Sequence, residues 1–75
     1  MKIYERNERF WQAVRTAIVY RAQFWSRGSE GRALIEIARG DDWQEVFQDY
    51  APASARLSPD DVAIVLIYRL MAQGV

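Results

Sequence analysis

Residues 62–68 are apolar without a break, and they directly follow Ser58, Pro59, Asp60 and Asp61. Those four residues form a strong helix-start signal. Ser58 can accept a hydrogen bond from an orphan amide of the first turn, and Pro59 suits the first helical position. The two aspartates lie at the positive end of the helix dipole, and Leu57 and Val62 are placed to staple the cap. The helix is predicted to reach Ala72 or Gln73, before Gly74. Adding Leu70 and Met71 to the apolar run leaves little polar face. A helix apolar almost all round must be central in the fold or half covered by a partner. Seven residues do not span a bilayer, which takes about 20, and in a chain of 75 residues few neighbours are available to bury such a helix completely. A symmetric homodimer through this C-terminal helix is therefore expected.

The first segment is predicted as a helix over residues 4–25. Phe10, Ala13, Ala17, Tyr20 and Phe24 form one stripe, and Trp11, Val14, Ile18, Ala22 and Trp25 form a second beside it. At about 100° per residue the stripes merge into an apolar arc of roughly 200°, which needs cover on two sides. Arg21 falls near the centre of that arc. An unpaired charge there is costly, so it is expected to snorkel or to pair with an acid from the C-terminal half.

Two shorter helices are expected between these. Ser29 is read as the cap of a helix over 30–39, with Gly40 as a left-handed stop. The β-friendly stretch 33–38 leaves a hairpin as the rival reading. Asp42 followed by Glu45 has the capping-box pattern, and Trp43, Val46, Phe47 and Tyr50 then follow helical spacing up to Ala51 and Pro52. The expected fold class is all-α: a single four-helix domain over residues 1–75, with a long first helix, two short helices and a hydrophobic last helix.

The chain contains no Cys and no His. It therefore has no disulfide, no thiolate ligand, and neither the commonest general base nor the commonest metal ligand. The serines have no partner to activate them. The adjacent acid pairs Asp41–Asp42 and Asp60–Asp61 are explained by helix starts, and nothing has the spacing of a calcium loop. No enzyme activity, cofactor or metal is expected. The N-terminal residues lack the apolar core of a signal peptide, so a cytoplasmic location and no membrane partner are the expectation.

Charge is balanced overall but not along the chain. Residues 1–39 carry eight bases against four acids, and residues 40–75 carry two bases against six acids. The two halves can attract each other within one chain or between two copies, and overall neutrality disfavours a dedicated polyanion binder.

With 51% hydrophobic residues and 13% aromatics, the chain is rich in the residue types that dominate protein interfaces. The expected function is that of a small non-catalytic protein-binding module. Its candidate contact residues are Trp11, Arg15, Val19, Arg21 and Trp25 on the first helix and Tyr68 and Arg69 on the last. Two other readings stay open. One is an inhibitor or regulator of the kind carried by phages and mobile elements. It would act by occlusion, or through an acidic surface of Asp42, Glu45 and Asp49 that mimics nucleic acid. The other is a nucleic-acid-binding regulator that uses the arginines of the first helix.

Overall fold

The computed structural model describes residues 7–25, 28–53 and 56–73, with the side chain of Trp25 left out. Four α-helices follow one another: α1 (Glu8–Ala22), α2 (Ser29–Arg39), α3 (Trp43–Tyr50) and α4 (Pro59–Ala72). A single 3-10 turn, Gln23–Trp25, extends α1. No strand occurs among the described residues, so residues 33–38 are helical and the hairpin reading is set aside. The chain is an all-α four-helix fold, as its periodicity predicts.

The start of α4 follows its sequence signal closely. Ser58 is extended (φ −71°, ψ 164°), and its Oγ accepts the Asp61 amide at 3.2 Å. The other termini differ from expectation. Helix α1 begins at Glu8 rather than Tyr4: Asn7 is extended, and its side-chain oxygen accepts the Phe10 amide at 2.9 Å. Residues 4–6 lie outside the described residues. Helix α2 is preceded by extended Gly28, which has no side chain to cap with, and Ser29 is already the first helical residue.

The link between α2 and α3 also departs from expectation. Gly40 is extended (φ −68°, ψ 157°) instead of left-handed. Asp42 has a near-helical backbone (φ −99°, ψ 17°) and makes no side-chain cap hydrogen bond. The two departures share a cause. Only Asp41 and Asp42 separate Gly40 from α3, and the Gly40 carbonyl turns to accept the Trp43 amide at 3.2 Å. A capping side chain needs an extended backbone behind it, and this tight corner removes that geometry from Asp42.

Helix α1 packs most extensively on α4 and next on α2, while the short α3 closes against α2 and α4. Trp11, Val14, Ile18 and Ala22 of α1 meet Leu34 and Ala38 of α2, Phe47 of α3, and Val62, Ala63, Leu66 and Leu70 of α4 in one contiguous core. Gly31, also buried, gives α2 a side-chain-free surface on its inner side. No polar or charged residue is buried among the described residues. The radius of gyration is 11.6 Å, close to the ~11 Å expected of a folded chain this long.

Candidate protein-contact surface

The α1–α4 pair buries one side of each helix and leaves an adjoining side open. On α1, Tyr20 and Phe24 are one helical turn apart and stand 60% and 72% exposed. Their rings meet edge to face at 5.4 Å, a favourable arrangement for aromatic pairs. On α4, Ile64 and Tyr68 repeat the same four-residue spacing and are 39% and 73% exposed. Between the helices runs a groove of about 350 Å³, lined by Arg21, Phe24, Ile64, Ile67, Tyr68 and Met71. Ile67 forms its floor and is almost fully buried. The apolar arc of α1, expected to be covered on two sides, is open at Tyr20 and Phe24, and α4 is open at Ile64 and Tyr68.

Arg21 forms one edge of the groove. Its Nη1 lies 3.8 Å from Oδ1 of Asp60, at the start of α4, and makes a long 3.5 Å contact to the Ala17 carbonyl. The charge in the apolar arc thus reaches an acid from the C-terminal half. Both partners stay in contact with water, so neither pays full desolvation.

The other sequence candidates divide between this surface and the interior of the fold. Trp11 is 2% exposed and belongs to the core, where it meets Phe10 edge-on at 5.3 Å. It is not available to a partner, because α1 turns that stripe inward. Val19 is half-buried, and with Arg15 and Tyr20 it lines a second, more polar groove along α1. Arg15 places its guanidinium 4.9 Å from the centre of the Trp43 indole, joining α1 to α3. Tyr68 is fully part of the open face. Arg69, although exposed, donates to the Tyr50 carbonyl at 2.8 Å and ties α4 to the end of α3. The Trp25 side chain lies outside the described residues.

Three residues of this face, Tyr20, Phe24 and Ile64, are absent from the sequence-based candidates, because their stripes have the same periodicity as core stripes. The sequence does carry a signal for them: an apolar arc wider than one partner helix can cover.

Asp42, Glu45 and Asp49 are all exposed. Their spacing, three and then four residues, places them along one side of α3. Among the described residues, no group of three acidic side chains is arranged to hold a metal ion, and no helix is long and apolar enough to cross a membrane. No family model, curated protein or solved structure matches this chain.

Proposed function

We propose that this chain is a non-catalytic module that acts by protein–protein contact, with the open face of α1 and α4 as its contact surface. The observation that carries this reading is the grouping of exposed Phe24, Ile64 and Tyr68 along a single apolar groove, with the exposed Tyr20 ring against Phe24 beside it. At about 200 Å² per aromatic side chain, those exposed fractions leave roughly 450 Å² of apolar surface in water. That is close to a tenth of the 5183 Å² total, and the largest apolar patch of a folded chain, about this size, is often a functional surface. The absence of His and Cys supports a binding role over catalysis.

The charge pattern favours a protein partner over nucleic acid. Net charge is zero. Of the described first-helix arginines, Arg15 and Arg21 are engaged with Trp43 and Asp60, so they do not continue exposed Arg9 into an uncommitted phosphate-binding track. A photo-crosslinking residue placed at Phe24 or Tyr68 is expected to capture protein in cells of the source organism. The same residue at Glu36, exposed on α2, is not. Equal capture at all three positions, or none at Phe24 and Tyr68, would overturn the assignment of this face.

A second reading is supported by the exposed acids on α3. Asp42, Glu45 and Asp49 form a one-signed strip suited to competing with nucleic acid for a basic groove on another protein. Reversing all three charges abolishes partner binding in that reading and leaves it unchanged if the α1–α4 face carries the contact.

A further inference from the structure

We infer that the occupant of the α1–α4 face is a second copy of this chain, related by a twofold axis that sets the two α4 helices antiparallel. The inference rests on the proposed function and names the partner of the same face.

Area supports it first. A standard interface covers about 800 Å² on each partner, and a homodimer interface is about 65% apolar. It therefore needs roughly 500 Å² of apolar surface a side, close to what Tyr20, Phe24, Ile64 and Tyr68 leave exposed. The rest of the footprint falls on the polar rim.

Charge supports it independently. A face of one sign repels its own copy, whereas this face carries both signs. Arg21 and Asp60 pair on its edge. An antiparallel pair of α4 helices that meet through the groove side sets Ile64 of each copy alongside Tyr68 of the other. The contact occurs twice, and the two helix dipoles run opposed. With no net charge on the chain, long-range repulsion does not resist the approach.

Shape agrees as well. A twofold contact requires one patch to supply both the projection and the recess. The rings of Phe24 and Tyr68 project from the same face that contains the groove.

Sedimentation equilibrium of the full chain tests the inference across the micromolar to millimolar range. The expected mass is twice the 8.8 kDa of one chain. Phe24→Asp and Tyr68→Asp, at highly exposed positions, are each expected to raise the dissociation constant at least about tenfold, with helicity by circular dichroism unchanged. The absence of native Cys permits a second readout: Ile64→Cys, within a turn of the twofold axis, should oxidise to a disulfide-linked dimer, and Glu36→Cys should not. A single-chain mass at every concentration overturns the second copy, while crosslinking of another protein at Phe24 and Tyr68 would still uphold the contact surface. A dimer indifferent to both Asp variants, or one linked through Glu36→Cys and not Ile64→Cys, overturns the geometry. Should the Asp variants lose helicity, the two Cys variants decide the question in the otherwise unaltered chain.

Discussion

Two apolar stripes run along α1, built from the same kinds of residue, and they are covered unequally: the first is buried at Ala17 but open at Ala13, Tyr20 and Phe24. Trp11, Val14, Ile18 and Ala22 are at most 2% exposed, whereas Tyr20 and Phe24 stand 60% and 72% exposed on the adjoining stripe. Helix α4 repeats the contrast. Val62, Ala63, Leu66 and Leu70 are buried, while Ile64 and Tyr68 face outward. Apolar composition says which side chains are stabilised by leaving water. Whether they leave it depends on what the rest of the chain can lay over them. The short α2 and α3 cover one flank of the α1–α4 pair, and no described segment covers the other.

The sharpest way to break this comparison is to truncate an aromatic on each stripe. Trp11→Ala is expected to lower unfolding free energy by about 3–5 kcal/mol, through lost burial and the cavity left behind. Phe24→Ala is expected to change it by no more than about 0.5 kcal/mol, as for other exposed positions. Denaturant unfolding at a concentration low enough to keep the chain monomeric measures both. A loss at Phe24 comparable with that at Trp11 would mean that the outer stripe is covered within a single chain.

That contrast also marks how much the sequence discloses. The four helices, their order and the wide arc of α1 follow from apolar spacing alone, because periodicity is a local property. The pairing of Arg21 with an acid of the C-terminal half was also foreseeable, since a charge in an apolar arc has few alternatives. Which stripe turns inward was not, because both have helical spacing and the choice depends on where α4 and α2 dock. The same limit applies to Arg15 and Arg69. As bases on helix surfaces they looked free to meet a partner, and their contacts with Trp43 and the Tyr50 carbonyl exist only once α3 is in place.

Helix starts give a smaller, local version of the same comparison. Ser58 and Asn7 cap with their side chains, whereas Ser29 and Asp42 do not, although all four are good capping residues by type. Ser58→Ala and Asn7→Ala are each expected to cost about 1 kcal/mol. Ser29→Ala and Asp42→Ala should stay within a few tenths of a kcal/mol of the parent, in line with surface substitutions that remove no cap. Thermal or denaturant unfolding of the four variants side by side separates the caps that form from those only suggested by residue type. A full cap-sized loss at Asp42 would show that its carboxylate reaches the first turn of α3 in solution.

The smallest effect is expected at Gly40, where its sign carries the information. As a left-handed helix stop, the position would reject a side chain, and Gly40→Ala would cost more than about 1 kcal/mol. Its backbone is instead extended, at φ −68° and ψ 157°, a conformation any residue adopts. A Cβ built there comes within 3.1 Å of the Asp42 carboxylate oxygen and 3.5 Å of the Ile37 carbonyl. The first contact is tight, but Asp42 is exposed and makes no cap hydrogen bond, so its side chain can swing clear. The second is an ordinary van der Waals contact. With little strain in the folded state, the main effect of alanine is to restrict the unfolded chain. Gly40→Ala is therefore expected to stabilise the protein by up to about 0.5 kcal/mol. The corner between α2 and α3 would then owe its shape to the hydrogen bond from the Trp43 amide to the Gly40 carbonyl, which alanine retains. A clear loss of stability would instead place Gly40 in the left-handed region in solution, and would restore to Asp42 the freedom to cap α3.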